Sequence, residues 1–243
     1  MAVGTLTALP VRPPRVIDRT VAAGAMVLAP VAALPLAALA AAVLLLPLPP
    51  LVVAGLATGA VALASRGLHL DGLADTADGL SASYDRERAL EIMRRGDSGP
   101  SGVAALILTL IVQCGALAGA IAAGHGIAAV IVAVLTGRCV LSACCARGVP
   151  SARPEGLGAT VAGSVPVPAA VLVFLLAAGI GAASCVLSPG LPWWRGPLAA
   201  AVAYACAGLL LRRCARRLGG ITGDVLGACV ETAATAALVT LCV

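Results

Sequence analysis

The sequence predicts an all-α fold: a polytopic membrane bundle of about seven transmembrane helices, N-terminus in and C-terminus out. Three observations predict it. The 243 residues are 60% hydrophobic and only 11% charged, with a mean hydropathy of +1.05, whereas a soluble domain carries about a quarter charged residues. The hydrophobic residues gather in seven long runs. Fourteen of the sixteen arginines fall in alternate gaps between those runs, as the positive-inside rule requires.

The runs cover residues 21–46, 51–65, 102–123, 126–145, 166–188, 197–211 and 225–243. Most reach the length that crosses a bilayer. The first follows Arg12, Arg15 and Arg19 and is too long for a signal h-region, so it is expected to stay as an anchor. Pro47, Pro49 and Pro50 turn the chain into the second run. That run is short and is expected to continue as helix into the polar segment after it. Gly124-His125-Gly126 separates the third and fourth. Pro189 to Trp194 separates the fifth and sixth, with Arg195 beside a Trp pair that reads as an interfacial anchor. No internal repeat or low-complexity linker divides the chain, so residues 1–243 are read as one integral membrane domain.

With the N-terminus inside, the cytoplasmic segments are 1–20, 66–101, 146–165 and 212–224. Ten of the eleven acids lie there too, seven of them between Asp71 and Asp97; Glu231 lies inside the last span. Polar chemistry therefore converges on one membrane face, and a multi-pass cell-membrane protein with its site on the cytoplasmic side is expected. Aromatics make up 2% and glycines number 28, a composition suited to close helix–helix approach in lipid. The nine cysteines form no Cys-x-x-Cys pair and read as small buried hydrophobes. Two histidines are too few and too far apart for a zinc site.

The most informative segment is His-Leu-Asp-Gly-Leu-Ala-Asp-Thr-Ala-Asp-Gly, residues 69–79. At about 100° per residue, Asp71, Asp75 and Asp78 share a roughly 60° arc of one helical face. Three carboxylates so placed repel one another, and a divalent cation with a taste for hard oxygen removes the repulsion. Gly72 and Gly79 leave room for a ligand or another helix. The reading is a magnesium site, one or two ions, that holds a diphosphate.

Further along, Asp85 to Arg95 forms an amphipathic stretch with Ala89, Leu90, Ile92 and Met93 as its apolar stripe, suited to the membrane interface. Gly96-Asp97-Ser98-Gly99-Pro100-Ser101-Gly102 opens a span; its backbone N–H groups make a natural phosphate cradle. Asp97 fits a further metal ligand or a helix N-cap equally well. The loop Ala152-Arg153-Pro154-Glu155-Gly156-Leu157-Gly158 is either a plain connector or the place of a phosphate-binding Arg. Arg138, two turns inside the fourth span, is costly there and is expected to face the bundle interior or a water-filled cavity. Asp224 is a capping candidate, but with Glu231 seven residues on the same face carries two acids, which favours a second half-site. A metal, a phosphate and a membrane together point to transfer of a phosphoryl-linked group to an alcohol, with a carboxylate taking the hydroxyl proton.

Four blocks in order resemble the adenosylcobinamide-GDP ribazoletransferase (cobalamin synthase) family: Thr5 to Val11, Arg66 to Gly79, Ala152 to Gly158 and Gly219-Gly220-Ile221-Thr222-Gly223-Asp224-Val225-Leu226-Gly227-Ala228. The resemblance implies the last step of cobalamin nucleotide-loop assembly. The hydroxyl of α-ribazole, or of its 5'-phosphate, attacks the diphosphate of adenosylcobinamide-GDP, giving adenosylcobalamin or its phosphate, and GMP. It implies magnesium as cofactor. The expected site then has Asp71, Asp75 and Asp78 as catalytic groups and Asp71, Asp75, Asp78 and Asp97 as metal ligands. Arg66, His69, Arg138, Arg153, Glu155, Thr222, Asp224 and Glu231 are expected to bind substrate. One block departs: after Glu-Ile-Met the family often reads Asp-Ser-Arg-Ile-Gly, whereas Arg95-Gly96-Asp97-Ser98-Gly99 shifts the acid by two positions.

The expected partners are the two substrates and the lipid bilayer, with a second copy of the chain or other cobalamin-assembly enzymes as further associates; no nucleic acid is expected. The alternatives are a CDP-alcohol phosphotransferase and a small transporter. The first has an Ala-Arg pair where this chain has Ala74-Asp75. Against the second, the charges gather at one face and line no midplane path.

Overall fold

A computed structural model describes residues 1–12, 16 and 18–242; Arg15, one of the arginines counted above, lies outside them. Among the described residues twelve helices form and no strand does. Six of the crossings match the apolar runs closely: α2 with α3 (Arg19–Val27, Ala29–Val43), α7 (Pro100–Ala122), α8 (Gly126–Cys144), α10 (Val167–Val186), α11 (Arg195–Leu218) and α12 (Gly223–Leu241). The first crossing is broken at Leu28 because Pro30 opens α3 without an N–H to give. Asp18 caps α2 by accepting from the Val21 N–H at 2.8 Å. α11 is longer than its hydropathy run. It continues through Arg212, Arg213, Arg216 and Arg217 to Leu218, so that stretch is helix, not loop.

The second run departs from expectation. α4 (Pro50–Ala64) ends, and α5 (Leu68–Ala82) leaves it at 90°. The cause is local. The Gly67 N–H reaches back to Ala62 C=O at 2.7 Å and the Arg66 N–H to Leu63 C=O at 2.9 Å, the paired bonds of a Schellman stop. Both Arg66 and Gly67 take left-handed backbone, at φ 58° and 67°. The acidic segment is therefore not an extension of the span. It lies across one end of the bundle.

Two close approaches hold α5 there. A Cβ added at Gly72 would stand 2.6 Å from the Asp224 carbonyl oxygen, and one at Gly227 would stand 3.1 Å from the His69 backbone. α5 thus touches the first turn of α12 with no side chain between. At its other half, a Cβ on Gly102 would stand 2.9 Å from the Ala74 carbonyl oxygen, so α5 also rests on the first turn of α7.

The connections of this end interlock. Arg86 opens the short α6 (Arg86–Ile92), donates from Nε to Leu218 C=O at 2.8 Å and from Nη2 to Ala152 C=O at 3.1 Å. Arg217 donates to Ser83 C=O at 2.7 Å and stacks over Tyr84. Arg19 donates to Ala162 C=O at 3.1 Å. The loops 145–166 and 219–222 pair through Ala152 N–H to Ile221 C=O and Ile221 N–H to Pro150 C=O, both 2.9 Å. Ala89 and Met93 of the amphipathic stretch are buried, as its stripe predicts. Arg19, Arg86 and Arg217 are thus ties between the loops of this end.

Candidate active site

α5, the start of α12 and the 152–158 loop enclose a cavity of about 290 Å³. Its polar lining is His69, Asp71, Arg153, Glu155, Thr222 and Asp224. Thr5 and Leu6 of α1 (Ala2–Leu6) form another wall, and Met26 and Leu141 belong to its apolar side. The sequence placed six of these polar residues in three separate blocks; the fold brings them to one hollow. Met26 and Leu141 carry no motif signal, since they read like any other apolar residue of a span.

The glycines explain how the blocks meet. A Cβ on Gly158 would stand 2.7 Å from Ile221 C=O, so only Gly lets the short α9 (Leu157–Val161) sit against the start of α12. Gly72 does the same for α5. Thr222 caps α12, accepting from the Val225 N–H at 3.2 Å while its hydroxyl donates to Asp224 Oδ2 at 3.1 Å. Asp224 is thereby released from the capping role that its position suggests, and faces the cavity.

Arg153 crosses this space. Its Nη1 stands 3.8 Å from Asp224 Oδ2, its Nη2 donates to Leu90 C=O at 2.8 Å, and its Nε is buried with no partner. An unsatisfied guanidinium N–H beside a cavity fits an anion that would complete it. Asp75 stands one turn from Asp71. Burial, then the charges of Asp71, Asp224 and Asp78, push its carboxyl up to about 6, against the opposing pull of Arg153. That is crowding of negative charge around a single cation, and a hard divalent ion would relieve it. As they stand, no three such donors among the described residues are close enough to hold an ion by themselves.

Asp78 has a different fate from its two neighbours. It is buried and accepts from the Gly99 N–H at 2.7 Å and the Gly102 N–H at 2.8 Å. The Gly/Ser loop that looked like a phosphate cradle is thus filled by the protein's own carboxylate. The first turn of α7 is an anion site, and Asp78 is the anion. Asp97 neither caps α7 nor joins the cavity: the N-cap is Gly99, and Asp97 is exposed in the loop before it.

Three expected substrate contacts also lie elsewhere. Arg66 is exposed and donates to the Gly4 and Thr5 carbonyls at 3.1 and 3.4 Å, steadying the α1 wall of the cavity without lining it. Arg138 and Glu231 line a separate inner void of about 50 Å³ in the bundle core. The seven-residue spacing of Asp224 and Glu231 puts them on one face of α12, but a helix rises about 1.5 Å per residue, so they open into different spaces. Glu231 accepts from Gln113 Nε2 at 2.9 Å. Arg138 reaches His69, its Nη2 standing 3.4 Å from Nδ1.

Comparisons with known proteins place the chain in a family. The family model described as cobalamin-5-phosphate synthase matches residues 1–242. A protein of a Nocardioides species, named adenosylcobinamide-GDP ribazoletransferase, is 48% identical over 98% of this chain and 94% of its own. One of Frankia casuarinae with the same name is 39% identical over 97% and 91%. A Pseudomonas paraeruginosa protein, again so named, is 38% identical over 69% and 65%. No solved structure matches the chain. With a match that runs through every block lining the cavity, the chain belongs to the cobalamin-5-phosphate synthase family.

Proposed function

We propose that this chain joins adenosylcobinamide-GDP to α-ribazole, or to α-ribazole 5'-phosphate, and releases GMP. The observation that carries the reading is the meeting of Asp71, Asp224 and Arg153 at one cavity, with Asp75 close enough to feel the charges of all three, in a chain of this family. The attacking hydroxyl forms a new P–O bond to the corrinoid-linked phosphorus, the anhydride P–O bond breaks, and GMP leaves with the electron pair. The hydroxyl proton passes to a carboxylate of the set.

In this reading Arg153 grips the diphosphate, supplying its unpartnered Nε–H. Thr222 and Glu155 hold hydroxyls of the entering nucleoside. The cavity is at the small end of ligand pockets, which run from about 300 Å³ upward, so it takes a nucleoside or the diphosphate while the corrin ring stays outside. Asp71, Asp75 and Asp224 are the residues that would hold magnesium. The metal, when bound, neutralises the diphosphate and polarises the phosphorus. Magnesium suits a site without a complete protein cage, because it commonly takes one or two carboxylates and draws its other ligands from phosphate and water. Asp78 contributes by fixing α5 onto α7, and Asp97 has no part.

The site belongs on the cytoplasmic face of the cell membrane, where the arginine-rich ends of the helices gather. The test is GMP release from purified membranes given both substrates, with and without magnesium. Release only when all three are present supports the reading, and release without α-ribazole or its phosphate sinks it. Labelling of a cysteine placed at residue 75 in an otherwise cysteine-free chain checks the sidedness; modification from outside intact cells overturns it.

A further inference from the structure

Arg138 sits near the middle of α8, 1% exposed, in a span. A guanidinium there is expensive, and among the described residues no carboxylate lies within 4.0 Å of it. The nearby acid, Glu231, is engaged by Gln113. The side-chain partner Arg138 does have is His69 Nδ1 at 3.4 Å, and its Nε has none.

His69 is a deeply buried polar residue of the cavity wall. It is 3% exposed, it lines the cavity with Asp71 and Arg153, and its Nε2 has no partner. Its backbone is clamped, since Gly227 leaves no space beside it. The ring therefore has a fixed site, one nitrogen facing an arginine and the other unspent.

A guanidinium has five N–H groups and no lone pair to offer. The contact with Arg138 is formed only if Nδ1 presents its lone pair. A neutral imidazole carries one ring proton, so that proton sits on Nε2. We propose that Arg138 holds His69 as the Nε2–H tautomer, and that His69 donates this hydrogen to a phosphoryl oxygen in the cavity. His69 is then a hydrogen-bond donor to the reacting group, not the base that takes the hydroxyl proton. Arg138 is its positioning residue. The proposal rests on the cavity being the active site. It explains the orphaned Nε2 of His69, because a bound phosphoryl oxygen completes it while Arg138 stands behind the ring.

The tautomer can be seen directly. The chain has two histidines, so a His125→Gln variant leaves a single imidazole. Nitrogen-15 NMR of that full-length protein in lipid should show Nε2 protonated and Nδ1 bare, and Arg138→Met should convert this into a tautomer mixture. A proton on Nδ1, or on both nitrogens, overturns the proposal without reference to activity. In turnover, His69→Ala should lose about 100-fold, the scale for removing one donor to a developing oxyanion. His69→Gln, whose amide places an N–H near the Nε2 position, should stay within about tenfold of the parent. A base role for His69 predicts the same loss in both. Arg138→Met should slow the parent but add nothing in the His69→Ala background; an equal further loss there means that Arg138 does not act through His69. Asp71→Asn separates the two ideas. If that variant keeps full activity, the reading of the cavity as the site fails. If it is inactive and His69→Gln is as slow as His69→Ala, only the donor role fails.

Discussion

The two ends of the bundle each carry a histidine and a hollow, and they differ in everything that makes a site. At the end crossed by α5 the hollow of about 290 Å³ is lined by two Asp, a Glu and an Arg, and His69 Nε2 has no partner. At the other end a larger hollow of about 420 Å³ is lined by Leu44, Ile121, Ile127 and Ile131 with two serines, and holds no charged side chain. There His125 Nε2 meets Leu241 C=O at 2.8 Å. Volume does not distinguish the end that carries the candidate site. Unsatisfied polar groups and helix starts drawn together through glycine do.

The largest effect that this contrast predicts is on turnover. Asp71→Asn or Asp224→Asn should lower GMP release by about 100-fold or more, with the thermal midpoint unchanged or raised because like charges are removed. His125→Gln at the opposite end should leave turnover near the parent value and cost about 1 kcal/mol at most, as loss of a single hydrogen bond does, read as a lower midpoint.

Next comes packing. Gly72→Ala puts a methyl where the Asp224 backbone already lies. It should destabilise by about 1–3 kcal/mol and reduce activity with it, whereas Gly55→Ala, where nothing stands within 4 Å, should change neither. Equal midpoints for the two variants would break the claim that α5 is clamped.

Asp78→Ala tests the division among the three acids. It strips two N–H groups of their acceptor, and a lost cap costs about 1 kcal/mol, up to 2. Its midpoint should therefore fall where that of Asp71→Ala does not. Smallest of all is Asp97→Ala, expected within about 0.5 kcal/mol and with activity near the parent, as for surface positions generally. Loss of magnesium dependence in that variant would return Asp97 to the ligand set.

The contrast also marks what a sequence tells. The spans were legible to within a few residues because bilayer crossing depends on a local average of hydropathy, which can be read one window at a time. Asp71, Arg153 and Asp224 were legible because charged residues are rare in so apolar a chain. The right-angle turn was not, since the first of its two left-handed positions is held by Arg66, not the usual Gly. Nor was the fate of Asp78, whose partners lie 21 and 24 residues away; nothing in its own helix distinguishes it from Asp75. The separation of Asp224 from Glu231 escaped for a related reason, because a shared helical face says nothing about depth. Arg138 was expected to face the bundle interior, and it does, but that its partner is His69 is a tertiary fact.

The seat of α5 on the first turn of α12 has a consequence for biogenesis. Asp71 leaves the ribosome just after the second hydrophobic run, yet the surface against which it is placed belongs to α12, made about 150 residues later. Until α12 inserts, the acidic segment has no partner at Gly227 and no Asp224 beside it. A chain in which α12 is missing or misinserted cannot bring Asp71 and Asp224 together, so the insertion of that span and the assembly of the candidate site are one event.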